Sequence, residues 1–389
     1  MSNTSQRIQS VDALRGLIMI VMALDHVRDF FHNAAMNFQP DDLTRTTPAI
    51  FFTRWITHFC APVFMFTAGL AAYFWLSRGR TKGQLSAYLV KRGLWLIFLE
   101  LTVVRLAMTF GAGPFIITVL WGLGLSMIFL ALLAHLPVRI LAAFCIAVIA
   151  LHNLADPIMA SPNFAWLLGV LHQVGPFNLG GVTVVVSYPL VPWFAVMALG
   201  FCFGQLFTLD ADVRRRWMIR IGLATTAAFI AVRAINVYGD PFPWTTGILS
   251  FLRLNKYPPS LDFVLMTLGP AILLLALFEK MQFSSMNPLM VFGRTPLFYF
   301  IAHLYIIHLL TIPFAWLRYG KWMLINPVLR VFPQGYGYPL WFVYVLWFVI
   351  VASLYPMCLW YSRLRAARSG ARLERGSGIA PLTASSLHP

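Results

Sequence analysis

Charged residues are scarce in this chain. Only 11% of its 389 residues are Asp, Glu, Lys or Arg, and 59% are hydrophobic. Soluble domains carry about one-quarter charged residues, so the composition excludes a soluble protein and indicates an integral membrane protein. Barrel strands would alternate in polarity over segments of about ten residues. Unbroken apolar runs such as FVLMTLGPAILLLALF (263–278) therefore indicate membrane helices instead.

Acidic residues are the scarcer of the two charged classes. The chain has 13 Asp and Glu residues against 29 Lys and Arg, which gives a net charge of +16. The basic residues lie mostly in short loops between apolar runs, where the positive-inside rule accounts for them. We therefore expect no nucleic-acid partner.

Cysteine is sparse in this sequence, and motifs for a phosphate-binding loop and a cleavable signal peptide are missing. The four cysteines lie inside apolar runs and show neither metal-ligand spacing nor a disulfide pattern, so we predict no metal site. The first ten residues lack the blocks of a cleavable signal peptide, and we expect the first helix to be retained. Without a glycine-rich phosphate loop, nucleotide hydrolysis has no support.

Long apolar runs predict the fold class. Runs of about twenty apolar residues are typical of membrane-spanning helices, and they predict an all-α, polytopic transmembrane helical bundle of about ten spans over residues 1–362. The segment 154–186, rich in Gly and Pro, is expected to be re-entrant or to lie on the surface. The predicted spans are residues 12–31, 50–76, 88–110, 115–134, 138–153, 187–208, 215–237, 260–279, 290–316 and 338–361.

The distribution of Lys and Arg predicts the orientation. These residues concentrate in the loops that face the cytoplasm if the amino terminus does, so the bias places both termini inside. Residues 363–389 are rich in Arg, Gly and Ser. We expect them to form a disordered basic cytoplasmic tail.

The first predicted helix, VDALRGLIMIVMALDHVRDFFHN (11–33), carries ionisable residues at membrane depth, where they are costly and usually mark a site. At about 100° and 1.5 Å per residue, Arg15 and His26 share a face to within about 20° and lie about 16 Å apart. Histidine is also the side chain best suited to accept and return a proton near neutral pH. We therefore predict that His26 is functional.

Two acidic residues can assist a histidine on this helix. Asp29 lies three residues after His26 and can orient its ring, while Asp25 and His32 share another face. These residues form two candidate acid–histidine pairs. The alternative is that Asp25, Arg28 and Asp29 only pair with one another as the helix leaves the membrane.

The loop SRGRTKGQLSAYLVKR (77–92) gathers basic residues on the predicted cytoplasmic side. Guanidinium and ammonium groups bind phosphates through charge-assisted hydrogen bonds. With Arg15 they predict a binding site for phosphate groups of a ligand. The alternative is a topology signal that touches only lipid headgroups. The candidate residues are Arg78, Arg80, Lys82 and Arg92.

The segment LNKYPPSLDF (254–263) collects polar side chains around two prolines that restrict the backbone. Asn255, Lys256, Tyr257 and Ser260 are candidates for binding a substrate or stabilising a reacting group. The alternative is a helix start, with Ser260 as its cap.

Other buried ionisable residues have simpler interpretations. His58 is expected to be neutral and bonded to a neighbouring helix. His303 and His308, five residues apart, point about 140° from each other, so one metal ion could not easily take both. Glu100 and Arg105 are each expected to find a partner on another helix.

Several motifs together resemble a known family. The opening motif is similar to that of the heparan-alpha-glucosaminide N-acetyltransferase catalytic family, including its bacterial members, and an Asp-x-x-Arg-Gly opening with a histidine eleven residues after the arginine is found in the acyltransferase-3 family. The resemblance continues through PVFMFTAG (62–69), NKYPPS (255–260) and GRTPLFYFIAH (293–303). The opening residues that carry it are Arg7, Ser10, Asp12, Leu14, Arg15, Gly16 and His26.

The resemblance implies a function. A cytosolic acyl-CoA, acetyl-CoA above all, would donate its acyl group to an acceptor, often a sugar, across the membrane, without a metal. His26 matches the catalytic histidine of the acyltransferase-3 pattern. Phe30, Phe31 and His32 resemble, with a shorter spacing, the reactive histidine that follows an aromatic pair in the lysosomal enzyme. Either His26 or His32 is therefore a candidate, and His303 is a candidate for lining the pocket.

We interpret the chain as a multi-pass acyltransferase of a bacterial inner membrane. His26 would act as general base, or His26 or His32 would be acylated as a relay, with Asp29 or Asp25 orienting the ring and Lys256 or Asn255 stabilising the oxyanion. The expected partners are membrane lipids, acyl-CoA and a sugar or glycan acceptor, and a homodimer is left open. The rival interpretations are a transporter or flippase that uses the same charges as a path and an inactive structural membrane component.

Overall fold

A computed structural model describes residues 3–110, 114–158, 165–327 and 329–377. Most of these residues are helical. The helices are α1 (Asn3–Phe31), α2 (Asn33–Asn37), α3 (Pro48–Trp55), α4 (Cys60–Leu76), α5 (Lys82–Leu99), α6 (Arg105–Thr109), α7 (Val119–Leu133), α8 (Val138–Leu151), α9 (Ala165–Leu171), α10 (Trp193–Phe203), α11 (Ala211–Ile235), α12 (Gly247–Leu252), α13 (Leu261–Phe278), α14 (Pro288–Arg294), α15 (Pro296–Tyr319) and α16 (Leu340–Ser377). The strands are β1 (Phe115–Ile117), β2 (Gly175–Leu179) and β3 (Val182–Val186).

Short irregular turns join several helices into longer ones. A 3₁₀ turn at Ile56–Phe59 connects α3 to α4, and another at Gly204–Thr208 extends α10. A π-helical turn at Glu100–Val104 joins α5 to α6. Such turns inside a helix often occur at functional sites.

Six helical stretches in the described ranges are long and apolar enough to cross a membrane, and two shorter apolar helices accompany them, at Val119–Leu133 and Trp193–Thr208. Each of the ten predicted spans overlaps a helix. Helix α1 is not among the six, since Asp and Arg residues interrupt its apolar run. The six stretches are Pro48–Leu76, Val138–Ala155, Ala211–Ile235, Leu261–Phe278, Pro296–Tyr319 and Leu340–Ala367.

A small sheet corrects the all-α prediction. Strand β3 pairs in parallel with β1 and antiparallel with β2, in the order β1-β3-β2. The β-branched run of β3 favours a strand, and Gly180 and Gly181, with φ of 58° and 85°, supply the left-handed turn of a hairpin. Much of the segment expected to be re-entrant therefore forms helix α9 and this hairpin, while residues 159–164 lie outside the described ranges.

Helix α1 lies at the centre of the bundle, in contact with α4, α13, α14, α15 and α16. Two glycines allow α1 and α14 to approach closely. A Cβ atom on Gly16 would lie 1.9 Å from the carbonyl oxygen of Leu289, and one on Gly293 would lie 1.8 Å from that of Asp12. These motif glycines are therefore required by the helix crossing, which surrounds the ionisable residues of α1 with protein.

Two helix boundaries differ from the predicted spans. The predicted span 290–316 is divided between α14 and α15, and the last helix, α16, extends beyond the last predicted span. Pro296 is the first residue of α15, where a missing N–H is tolerated. Helix α16 runs on to Ser377, through the first part of the segment predicted to be a disordered tail. The rest of that segment, residues 378–389, lies outside the described residues.

Candidate active site

Two histidines from different helices meet in the bundle. Nδ1 of His26 on α1 lies 2.6 Å from Nε2 of His303 on α15, and the two rings are nearly parallel, with centroids 4.9 Å apart. The ring of Phe300 packs edge-on against His26 at 6.5 Å. His303 is fully buried, whereas His26 keeps part of its surface accessible.

The backbone determines the protonation pattern of this pair. Nδ1 of His303 lies 2.9 Å from the carbonyl oxygen of Tyr299, which can only accept a hydrogen bond. Nδ1 of a neutral His303 therefore carries the hydrogen, and its Nε2 accepts. Nδ1 of His26 must then donate, which leaves the lone pair of a neutral His26 on Nε2. His303 thus orients His26 as the third group of a catalytic triad orients its base.

The carboxylate of Asp25, next to His26, contacts three cationic side chains. It accepts two hydrogen bonds from Nη1 of Arg54, at 2.8 and 2.9 Å, and one from the hydroxyl of Thr57. Nη2 of Arg28 lies 2.8 Å away and Nζ of Lys256 lies 3.7 Å away. Three cations from three parts of the chain therefore surround one buried carboxylate.

Asp29 is paired along its own helix. Its carboxylate accepts a hydrogen bond of 2.5 Å from Nη2 of Arg28. The hydrogen-bond partner of His26 is His303 and, within the described part of the chain, neither Asp25 nor Asp29. Both acids thus pair with Arg28, as the simpler alternative predicts, but Asp25 also pairs with Arg54 and Lys256 from outside α1.

His32 occupies a different environment. It is buried directly after the end of α1, where the neighbouring backbone pairs with Tyr338. Burial, and then the Arg28 guanidinium, lower the pKa of its imidazole to about 4, so it is neutral at physiological pH. Among the residues described, no contact joins His32 to the pair of His26 and His303.

An apolar cavity of about 180 Å³ lies between α1, α4, α5, α7 and α15. Arg15, Tyr88 and Arg92 line it, as do Met22 and Phe300. On α1, Arg15 and Met22 are about 10 Å apart along the axis. Since Met22 is one turn before His26 and Phe300 touches the His26 ring, the cavity leads from two guanidinium groups toward the histidine pair.

Arg15 is held in place at this cavity. Its Nη2 donates to the carbonyl oxygen of Thr67 at 2.5 Å, and its Nη1 lies 3.8 Å from Asp12. Asp12 is also 3.8 Å from Arg294 on α14. The Asp-x-x-Arg-Gly motif therefore has two structural roles. It positions the Arg15 guanidinium, and its glycine, Gly16, allows α1 to cross α14 closely.

The rest of the predicted phosphate-binding residues do not line this cavity. Arg78, Arg80 and Lys82 are exposed at the ends of α4 and α5. The Arg80 guanidinium lies over the Trp75 ring, 3.9 Å from its centroid, and Nζ of Lys82 donates to the carbonyl oxygen of His135. The structure brings only Arg15 and Arg92 of this predicted set to one cavity.

A second cavity, of about 520 Å³, is polar. Arg54 and Lys256, both of which contact Asp25, form part of its wall. Asn255 and Tyr257 of the predicted acceptor-binding segment also line it. The cavity therefore abuts the cation cluster next to His26, and its lining shares no residue with that of the apolar cavity.

Ser260, predicted with that segment, lies outside the lining of this cavity. Its hydroxyl accepts a hydrogen bond from the backbone N–H of Phe263 and donates one to Asp240. Burial raises the pKa of the Asp240 carboxyl, against the hydrogen bonds from Ser260, Asn255 and Phe242 that lower it. Ser260 therefore caps α13, as the simpler alternative predicts.

Two residues at the polar cavity had no assigned site role. Arg54 lies within the predicted span 50–76, and an arginine inside a membrane span is a signal that marks a candidate site residue. His58 was expected to be bonded to a neighbouring helix. Instead it packs on the ring of Phe263, and its buried Nδ1 finds no hydrogen-bond partner among the described residues.

The buried Glu100 has the expected partner on another helix. Its carboxylate accepts hydrogen bonds from the backbone N–H and hydroxyl of Thr118 and the N–H of Leu120, and so anchors the start of α7. The Arg105 guanidinium lies over the ring of Phe115 on β1. In the described ranges, no three His, Cys, Asp or Glu side chains are grouped as metal ligands.

Comparison with known proteins places the chain in a family. The model of the catalytic domain of heparan-alpha-glucosaminide N-acetyltransferase matches residues 7–250, well over half of the chain. No curated protein matches the chain. The matched region contains His26, Arg15, Arg54 and Arg92, while His303 and Lys256 follow it. Its description implies a transferase, and the six apolar helices agree with a membrane protein. The chain belongs to the heparan-alpha-glucosaminide N-acetyltransferase catalytic family.

Proposed function

We propose that this protein transfers an acetyl or other acyl group from cytosolic acyl-CoA to a hydroxyl or amine acceptor, such as a sugar, at the outer side of the membrane. The observation that carries the proposal is the pair of His26 and His303 with a cavity on each of two neighbouring groups. Phe300, which packs on the His26 ring, lines the apolar cavity, and Arg54 and Lys256, which contact the adjacent Asp25, line the polar one. Two cavities near one base suit a reaction of two substrates.

The apolar cavity suits the donor. Arg15 and Arg92 would bind phosphates of acyl-CoA, since guanidinium groups match phosphate oxygens in charge and geometry. The pantetheine arm would lie along the apolar walls, with the thioester near Met22 and Phe300. Arg78, Arg80 and Lys82 are exposed nearby and would contact the phosphates only from outside the cavity.

The polar cavity suits the acceptor. Asn255, Lys256 and Tyr257 supply hydrogen-bonding groups along its wall, and aromatic rings there offer flat surfaces for a sugar. Lys256 or Asn255 would stabilise the negative charge that develops on the thioester oxygen.

In the reaction, Nε2 of His26 takes the proton of the acceptor hydroxyl or amine as its oxygen or nitrogen attacks the thioester carbon. The new C–O or C–N bond forms, the C–S bond breaks, and the departing thiolate takes the proton back from the imidazolium. The N–H at Nδ1 stays bonded to His303 throughout. A relay in which His26 is first acylated would use the same lone pair.

The proposed topology follows the sequence pattern. The chain would cross the membrane about ten times with both termini in the cytoplasm, as a multi-pass protein of a bacterial inner membrane. Residues 1–362 would form the catalytic domain, and residues 363–389 a basic cytoplasmic tail. This orientation turns the mouth at Arg15 toward cytosolic acyl-CoA.

Acyl-CoA turnover by purified protein tests the proposal. Acetyl-CoA is supplied with a panel of simple sugars, and free CoA and acylated sugar are measured for the wild type and His26→Ala. We expect sugar-dependent release of CoA that the variant loses. Movement of a solute into proteoliposomes without use of acetyl-CoA would instead support a transporter or flippase, which the family match does not favour.

A further inference from the structure

His58 is a buried histidine that has no role in the reaction proposed above. It lies in the 3₁₀ turn Ile56–Phe59 between α3 and α4, and only 5% of its surface is exposed. Its ring packs on Phe263, with ring centroids 5.3 Å apart. Its Nδ1 is buried and has no hydrogen-bond partner in the part of the chain that the structure describes. Proteins rarely leave a buried polar group unpaired, because the loss of hydration is costly.

The turn that carries His58 also contacts the ion cluster beside His26. Arg54 lies four residues before His58, and both line the polar cavity. The Arg54 guanidinium donates two hydrogen bonds to the carboxylate of Asp25. The charges of Asp25 and Lys256 lie within electrostatic reach of both histidine rings. His58 and His26 therefore border the same cluster, and His58 is the one that lines the polar cavity.

The wall of the polar cavity has a second unpaired group. Nε of Arg253 is buried and has no hydrogen-bond partner within the described ranges. The Arg253 guanidinium lies over the ring of Phe242, 4.5 Å from its centroid, and this ring lines the cavity as well. Two unpaired polar groups on one wall indicate a ligand that supplies their hydrogen-bond partners.

A sugar hydroxyl fits both groups. A hydroxyl donates and accepts, so it can pair with Nδ1 of His58 in either tautomer of the ring, and its oxygen can accept from Nε of Arg253. The rings of Phe38 and Tyr257 also line the cavity, and they can pack on the C–H faces of a sugar. Since a sugar carries several hydroxyls, these contacts leave another hydroxyl, or an amine, free to react at His26.

We propose that His58 is an acceptor-binding residue, whose imidazole forms a hydrogen bond with a non-reacting hydroxyl of a sugar in the polar cavity. The inference rests on the acyltransferase function proposed above and specifies how the acceptor is held. It applies equally to a sugar that reacts through an amine and to one that reacts through a hydroxyl. His58 determines specificity in this proposal, because a sugar without that hydroxyl leaves Nδ1 unpaired.

Deoxy sugars test the inference. Purified full-length protein receives radiolabelled acetyl-CoA with methyl glucosaminide, which offers an amine and three hydroxyls, or with its 3-, 4- or 6-deoxy derivative. The value of kcat/KM is measured for each sugar. We expect the wild type to use at least one deoxy sugar about tenfold less efficiently, or worse, than the parent sugar, because a hydrogen bond to a buried group is lost.

Variants of His58 identify the hydroxyl that it binds. In His58→Leu the parent sugar has already lost this bond, so we expect that deoxy sugar and the parent to be used within about twofold of each other. KM for acetyl-CoA should stay unchanged, since His58 does not line the apolar cavity. The amide group of His58→Gln can donate and accept and should keep part of the discrimination.

Phe263→Leu is the matched control, because it alters the packing against the His58 ring without removing a polar group. It should keep the wild-type ratio between the deoxy and parent sugars. Discrimination that is as strong in His58→Leu as in the wild type, or a wild type that uses all four sugars equally, would overturn the inference and leave the acyltransferase function intact. If acetyl-CoA stays unconsumed with every sugar, the proposed function fails and the inference fails with it.

Discussion

His26 on α1 and His303 on α15 are joined by a hydrogen bond of 2.6 Å although 277 residues separate them in the chain. The carbonyl oxygen of Tyr299 fixes the tautomer of His303, which in turn fixes that of His26. A neutral partner thus takes the position that a carboxylate occupies in most catalytic triads.

Replacing His303 should therefore reduce the rate more than the binding of substrates. In His303→Leu, Nδ1–H of His26 loses its acceptor, and we expect kcat to fall by about 10²-fold or more, with a smaller change in KM. The amide oxygen of His303→Gln can still accept this hydrogen bond and should preserve more of the rate. Steady-state kinetics with acetyl-CoA compare the two variants, and equal losses would indicate a packing role alone.

The two candidate histidines of α1 should behave differently. His26→Ala removes the proposed base, and we expect turnover of acetyl-CoA to fall by about 10²- to 10⁴-fold. His32→Ala removes a buried neutral ring that does not contact His303, so its main effect should be a loss of stability of about 1–3 kcal/mol. Thermal unfolding in detergent, measured beside turnover, separates the effects. An inactive but fully stable His32→Ala would contradict this assignment.

The two cavity arginines should determine donor affinity. Arg92→Gln removes a guanidinium from the mouth of the apolar cavity, and we expect KM for acetyl-CoA to rise by about tenfold, as a lost charge-assisted hydrogen bond to a phosphate would cause. Arg78→Gln, which removes an equal charge outside the cavity, is the matched control and should change KM by less than about twofold. If both variants raise KM equally, the phosphates bind along the whole basic loop.

Most helices could be predicted because each membrane span leaves a local signal, an apolar run of fixed length. The hairpin of β2 and β3 is too short for the same rule, and its local signal is a different one, the Gly180–Gly181 turn before a β-branched run. The pairing of β1 with β3 could not be predicted, because it joins residues that lie far apart in the chain. Gly16 and Gly293 are visible in the sequence, but a glycine alone does not show which backbone it packs against. The close crossing of α1 and α14 therefore could not be predicted from them.

The site could be predicted one helix at a time. The face shared by Arg15 and His26 followed from helical geometry, and the structure relates both to the apolar cavity. The partners of His26 and Asp25 could not be derived in this way, since His303 and Arg54 come from other helices. Helical spacing suggested Asp29 as the orienting group, whereas cross-helix packing supplies His303.

The glycine of the opening motif offers a test of the packing. A Cβ atom at Gly16 would lie 1.9 Å from a backbone oxygen of Leu289 and 2.8 Å from its Cα, and a backbone cannot move aside as a flexible side chain can. We expect Gly16→Ala to lower the free energy of unfolding by about 3 kcal/mol or more, or to prevent folding.

Gly83→Ala is the matched control for this substitution. Gly83 lies in the first turn of α5, where an added Cβ would meet no atom closer than the Thr81 hydroxyl at 4.0 Å. Since alanine favours a helix over glycine by up to about 1 kcal/mol, this variant should be as stable as the wild type or slightly more so. Thermal unfolding of both proteins in detergent checks the pair. A Gly16→Ala protein that unfolds at the wild-type temperature would show that α1 and α14 do not cross as closely as described, and with α1 displaced, the contact of His26 with His303 would be in question as well.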